Sequence, residues 1–485
     1  EDGGKAWLHK EVFRRIRAKS LAKARAETKP VELSEYQTFL IGVQGVGPVG
    51  GERYDGEDGV MRVIEQLEGI ALPPSVWESS VLPARVRDYR PAMLDGLLSS
   101  GEIVWVGSKT TGSKAKEPGL VALHPADSLL LTVQDGEKNG EAPGEPVTLP
   151  DAVMAVLAPG GAYHANQLAG LTRAAWDASS ECVDESTGEI LPHPWSDSQF
   201  EEALWSLVWQ GKVTNSSFDP LRSLGASSHA VKAPARASRR RVRVRVSVPA
   251  NMTGLWSAVP HADMQEASAE RVAIARIEAL LDRYGVIAPP MIDKERLDGG
   301  FSGLYPVLRR MEEHGALMRG MFVSGCGAAQ FASRQTVDAL RACAAEPSAV
   351  VLDATDPANL YGSVIAWPRT IGGFSIRPAR RSGASVVLRG GRLLAYAVPR
   401  SHHLLLAQDA DPALQQACNE LAYALQQACN ELAYALQRNL RDGGIRGGVT
   451  FCDANDEPLT VRGEWSRMLH VAGFVPVPQG MKLYC

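Results

Sequence analysis

Apolar positions recur at helical spacing three times in this chain, and each run stops at a glycine and turns at once into a β-rich segment. Leu97-Leu98-Ser99-Ser100-Gly101 leads into Glu102-Ile103-Val104-Trp105-Val106. Trp205-Ser206-Leu207-Val208-Trp209-Gln210-Gly211 leads into Lys212-Val213-Thr214-Asn215. Leu308-Arg309-Arg310-Met311-Glu312-Glu313-His314-Gly315 leads into Ala316-Leu317-Met318-Arg319. A glycine just past a helix supplies the left-handed residue that ends it, and no loop separates the helix from the strand. Helix, tight turn, strand and hairpin form the second half of a winged helix. One module repeated at roughly the size of a small domain predicts an array.

The same patterning extends along the chain and predicts an α+β architecture, tandem winged-helix modules with a small β-barrel domain. Residues 1–56 form a basic helical segment, 57–145 a first winged helix, 146–225 a second, and 226–253 a basic linker. Residues 254–345 form a third winged helix. In 346–411, short β-rich runs at Ala349–Leu352, Ser385–Arg389, Leu393–Val398 and Leu404–Ala407 alternate with Gly/Pro turns, the spacing of a barrel or sandwich. Residues 412–485 return to a helix and end in a partial winged helix. Within that helix Leu414–Ala424 recurs unchanged as Leu425–Ala435. Eleven residues make almost three whole helical turns, so such a duplication lengthens a helix while nearly keeping its facing.

Composition narrows the class. An apolar share of 45% supports several cores, and no apolar run approaches the ~18 residues of a membrane span. No signal-peptide pattern opens the chain, and it lacks a starting Met, which fits a fragment of a longer protein. Seven scattered cysteines without a Cys-x-x-Cys pair fit a reducing cytoplasm and give no zinc site or disulfide framework. The net charge of −4 is nearly neutral, but its distribution is uneven: Leu221–Ala262 holds no acid at all. That stretch carries Arg239, Arg240, Arg241, Arg243 and Arg245, either a solvated basic linker or a polyanion contact. Alternation in Arg241-Val242-Arg243-Val244-Arg245-Val246 has strand period, giving one basic face.

Two glycine-rich stretches come near to phosphate-binding motifs. Gly45, Gly47 and Gly50 match dinucleotide-loop spacing, but Pro48 interrupts them and no βαβ unit follows. Gly107–Lys114 places its lysine one position late for a phosphate loop and lies in a hairpin, so it reads as a wing presenting Lys109 and Lys114 to phosphate. Lys212 and Asn215 at the second turn, and Arg309 and Arg310 on the third module's last helix, are further candidate DNA contacts. Trp205 and Trp209, four apart on one helix face, read as core.

Four segments carry a family resemblance: Pro83-Ala84-Arg85-Val86-Arg87-Asp88-Tyr89-Arg90-Pro91, Leu204–Asn215, Gly300–Glu312 and Ala354-Thr355-Asp356-Pro357-Ala358-Asn359-Leu360-Tyr361-Gly362. In this order they resemble the C-terminal region of the large helicase-related (Lhr) family of bacterial DNA-repair helicases, over most of the chain. The resemblance implies tandem winged helices plus a β-barrel, and similarity to winged-helix DNA glycosylases of the AlkZ type. It implies single-stranded or forked DNA as partner, together with an N-terminal ATP-driven motor; some family members excise uracil through this region. No G-x-x-x-x-G-K-[ST] occurs, so ATP and Mg are expected only with the motor and no cofactor or metal with this chain. The glutamine–apolar–glutamine motif of AlkZ-type enzymes is absent, and Gly480–Cys485 has no carboxylate.

Excision needs a carboxylate or a polarised water near the sugar C1′. The candidates are Asp356, with Asn359, Tyr361 and Trp367 nearby, and Asp453 and Asp456, closer to the end of the chain. Asp-Pro-Ala-Asn is equally ordinary turn chemistry. Three functions stay open: a DNA-binding module of a repair helicase, a DNA glycosylase, and a homo-oligomerisation scaffold built on helix 412–442.

Overall fold

The computed structural model describes residues 9, 11–12, 15–16, 29–47, 54–108, 119–132, 148–179, 182–183, 190–191, 195–227, 249–260, 268–297, 299–343, 349–368, 375–407, 419 and 448–484. The expected helix 412–442 with its internal repeat, apart from residue 419, the possible strand at 241–246 and most of the basic stretch lie outside these residues.

The three glycine stops form as the pattern predicts. Gly101, Gly211 and Gly315 adopt φ of 80°, 73° and 83°, where a Cβ would clash. In the first module the helices Gly56–Gln66 and Pro91–Ser100 flank Pro74–Val76, which continues as a π-turn over Trp77–Val81. The hairpin Ile103–Ser108 with Leu120–Pro125 follows, and a bridge from Leu72 to Val121 adds the third strand of a winged helix.

The second module consists of Leu149–Leu157, Ala165–Ser179 and Asp197–Trp209, then Val213–Asn215. Its sheet is completed from a distance. Leu255–Ala258 pairs with Val213–Asn215 on one side and Tyr163–His164 on the other. A module boundary at 253/254 therefore cuts this sheet. The basic stretch is a long insertion within the second module's hairpin, where the sequence suggested a linker between modules. A long-range strand pair leaves no local signal in the residues that precede it, which is why the spacing missed it.

The first two modules share one hydrophobic core. Trp77, Trp105, Trp205 and Trp256 are all fully buried in it. Thr214 Oγ1 donates to the Trp105 carbonyl at 2.8 Å, joining the two sheets. A Cβ on Gly107 would lie 2.6 Å from the Val208 carbonyl oxygen, and one on Gly119 would lie 2.7 Å from the Trp209 ring. Glycine at both positions lets the first hairpin lie flat against the second module's helix. Arg222, from the acid-free stretch, bonds Glu78 at 2.6 Å and Asp95 at 2.8 Å. Burial opposes its charge, but the two carboxylates outweigh that and raise its proton affinity.

The third module runs from Ala269–Tyr284 through Pro289–Glu295 and Gly300–Glu313 to a sheet ordered Val286–Ile287, Gln330–Ala332, Met318–Gly320. Helix Leu33–Val43 of the N-terminal segment packs into this core through Tyr36, Phe39 and Leu40.

Next comes an open six-stranded sheet where the spacing predicted a barrel; among the described residues it does not close. Its order is Ala349–Asp353, Ser385–Arg389, Arg392–Val398, His403–Leu406, Asp453–Ala454, Glu457–Pro458. All neighbours are antiparallel except His403–Leu406 with Asp453–Ala454, which are parallel. Six of the seven residues of Arg392–Val398 are buried, as expected of a strand covered on both faces. The chain ends in helix Glu464–Val471 and a three-stranded sheet with Gly480–Tyr484 in the centre. No described helix is long and apolar enough to cross a membrane.

Candidate functional site

Asp356 lies where the modules meet. Asp356 and Arg85 are both fully buried, and the guanidinium bonds Oδ1 at 2.8 Å and Oδ2 at 3.0 Å. Arg85 also donates to Gln44 Oε1 at 2.9 Å and the Val81 carbonyl at 3.0 Å, while Ala358 N donates to Asp356 Oδ1. Arg380 holds the same loop through the carbonyls of Thr355, Asp356, Asn359 and Tyr361. Gln37, on the N-terminal helix, pairs with Ala358 O and Leu360 N. With both oxygens committed and no solvent exposure, Asp356 is withdrawn from the excision role that the sequence offered it. It is a docking residue. The nearby aromatics belong to the packing too, with Tyr361 stacked on Trp367 and Trp367 edge-on to Tyr396.

Asp453 and Asp456 come together at another corner, beside a histidine that sequence reading missed. His403 and Asp453 are register partners across the short parallel pair, so their side chains leave the sheet on the same face. His403 Nδ1 lies 2.6 Å from Asp453 Oδ2, with side chains 32% and 23% exposed, so solvent reaches both. Asn455 and Asp456 sit at φ of 52° and 63°, the two positive values of a type I′ hairpin turn between Asp453–Ala454 and Glu457–Pro458. Asn455 stitches this turn to the sheet by bonding both Leu406 N and Leu406 O. Asp456 accepts from Ser375 N at 2.7 Å and from the Ser375 hydroxyl. Those bonds, with His403 near, hold its carboxyl below the usual range. The local signal for this corner was Asn-Asp, a permissive pair for positive φ, between two short β-rich runs.

The candidate DNA contacts divide. Lys109, Lys114, Arg239, Arg240, Arg241, Arg243 and Arg245 lie outside the described residues. Arg309 and Arg310 do lie on the exposed face of Gly300–Glu313, paired with Glu313 at 3.2 Å and Glu270 at 2.8 Å. Exposed pairs of this kind are weak and exchange readily for another anion. Lys212 is half-buried in the turn just before strand Val213–Asn215. Asn215 is spent inside its module. It is buried, donates to Thr253 O at 2.9 Å and accepts from Ser217 N at 2.9 Å, which removes it from phosphate contact. Trp205 and Trp209 are core residues stacked at 5.4 Å.

A cleft of about 230 Å³ lies at the junction of the modules, lined by Glu68, Val106, His124, Val259, Arg276 and Glu295 among others. His124 Nδ1 sits 3.0 Å from Glu68 Oε1 there. No cluster of metal-ligating side chains occurs among the described residues.

Docked winged-helix modules backed by a β-sheet unit place the chain in the class of tandem winged-helix proteins. Residues 31–126 and 266–351 match the winged-helix domain models of large helicase-related protein. The chain is 37% identical over 508 residues to "Lhr helicase/uracil glycosylase" of Escherichia coli (strain K12), covering 98% of this chain and 30% of that protein. It is 37% identical over 432 residues to "Lhr helicase/ probable uracil glycosylase" of Mycolicibacterium smegmatis, covering 85% of this chain and 26% of that protein. The chain belongs to the Lhr family and spans under a third of the length of these relatives. The Streptomyces sahachiroi DNA glycosylase AlkZ aligns over 82% of this chain and 97% of its own at 15% identity, with a TM-score of 0.47.

Proposed function

We propose that this chain is the DNA-binding region of an Lhr-type repair helicase in the cytoplasm, gripping single-stranded or forked DNA for an ATP-driven motor elsewhere in the same protein. The observation that carries this reading is the pair of Lhr winged-helix matches, set in modules that dock into one body. The acid-free insertion in the second module's hairpin adds cationic charge to it. ATP and Mg belong to the motor, and this chain takes no cofactor of its own.

Binding should be salt-sensitive despite the chain's net charge of −4. Each phosphate contact contributes roughly 0.7–0.9 to the log–log salt slope. Replacing Arg239, Arg240, Arg241, Arg243 and Arg245 together with alanine should flatten the slope by roughly that amount per lost contact. Fluorescence anisotropy on a labelled single strand and a labelled fork, across a salt series, reads this directly. An unchanged slope moves the binding surface away from the insertion.

A second reading is that this region itself excises a base, uracil in particular. Both relatives are named as uracil glycosylases, one of them as a probable one, which favours it, as does the solvent-reached corner that holds Asp453 and Asp456. Incubating the chain with a uracil-containing single strand, then cleaving with alkali, should give a band at the uracil position. An intact strand after prolonged incubation removes this reading and leaves the binding role. A scaffold built on residues 412–442 is tested by sedimentation velocity, a single monomer boundary being the outcome that rejects it.

A further inference from the structure

We propose that His403 is the general base of the excision site and that Asp453 is its orienting carboxylate. This rests on the excision reading and assigns roles within it. Four observations carry it. The Nδ1–Oδ2 distance of 2.6 Å is that of a strong, charge-assisted hydrogen bond. An ionised carboxylate can only accept, so in the neutral ring this bond puts the proton on Nδ1 and leaves the lone pair on Nε2. Nε2 has no partner among the described residues, and the ring is 32% exposed, so a water or a substrate can approach it. The parallel pairing of His403 with Asp453 and the Asn455 clamp on Leu406 fix the two side chains on one face, so the dyad needs no rearrangement to act.

The step balances with water alone. Nε2 takes a proton from a water molecule as its oxygen bonds to the sugar C1′. The C1′–N bond breaks and its electron pair leaves with the base, which then takes a proton from solvent. Asp453 stabilises the imidazolium formed on His403, as a carboxylate behind a catalytic histidine does elsewhere. Asp456, on the hairpin turn that follows Asp453 and anchored there by Ser375, adds a second negative charge near that imidazolium. It is a supporting charge and not the base.

The test uses the full chain, a uracil-containing single strand and three variants. His403→Ala should lower the single-turnover rate by about 10²-fold or more, the usual contribution of a positioned base. Added imidazole should restore part of it, which a merely structural histidine would not allow. Asp453→Asn should lower the rate without responding to imidazole, and Asp456→Asn should cost least. DNA binding and the melting temperature, measured on every variant, should stay near the parent. If the parent excises uracil and His403→Ala keeps its rate, or loses it with no imidazole rescue, the assignment is overturned while excision stands. If the parent leaves uracil DNA intact, the excision reading falls, and this assignment with it.

Discussion

Replacing Arg85 with methionine should destabilise the docked chain by about 3–5 kcal/mol, the cost of leaving a buried charge without its partner. The substitution removes both bonds to Asp356 and those to Gln44 and Val81, and it leaves a carboxylate with no solvent and few donors. The melting temperature should drop by several degrees or more. Asp356→Asn should do the same more mildly, because it keeps shape and leaves a cation to be satisfied. Arg85→Met combined with Asp356→Leu should recover much of the loss, since replacing both members of a buried pair by apolar groups is often close to neutral. Any loss of DNA binding or excision in the Asp356 variant should track the unfolded fraction. A variant that melts like the parent but loses excision would return Asp356 to chemistry.

The second large effect is a pH dependence centred on Lys294. Its ammonium donates to the Pro357 carbonyl at 2.7 Å and lies 5.3 Å from the Tyr284 ring centre, between the third module and the docking loop. Burial lowers its pKa from 10.5 to about 7, and Arg380 and Arg283 push the same way against Glu295 and Asp356. The unfolded chain therefore holds a proton on this lysine over a pH range where the folded chain does not. Below about pH 7 both states are charged and the full cost of burying the ammonium is present. As pH rises from there towards the ordinary lysine value the cost is relieved, so stability should increase. Part of the side chain keeps contact with water, which limits the change to on the order of 2 kcal/mol. Lys294→Met removes the titration, so its melting temperature should rise less than the parent's between neutral and mildly alkaline pH. Parallel slopes for the two proteins would show that Lys294 stays charged in the fold.

Local patterning carried the modules. The three glycine stops, the helices they end and the first four strands of the six-stranded sheet follow from spacing that a few adjacent residues set; its last two, Asp453–Ala454 and Glu457–Pro458, come from a segment that the sequence placed in another domain. Pairings between distant residues did not show. Leu255–Ala258 joins a sheet across the whole basic insertion, Arg85 meets Asp356 from 271 residues away, and His403 meets Asp453 from 50. Two segments that carried the family resemblance, Pro83–Pro91 and Ala354–Gly362, face each other across that buried pair. Asp356 looked functional in the sequence, and in the fold it holds modules together through Arg85. The His403–Asp453 pair was half legible: the sequence offered Asp453 as a candidate carboxylate and did not point to His403. Neither residue stood in a recognisable motif, and only the parallel strand register brings them side by side.

The shared tryptophan core of the first two modules, with the Arg62–Asp282 pair that ties the first to the third, has a consequence for affinity. Modules joined by flexible linkers act as independent ligands whose joint binding depends on how often the tether brings them together. Here the spacing is fixed in the protein alone. If the chain binds DNA as proposed, a strand engaged by one module meets the next at a set offset along it, and no tether entropy remains to be lost. The arrangement is a ruler, and it should favour strands whose backbone path matches that offset over equally charged strands that do not.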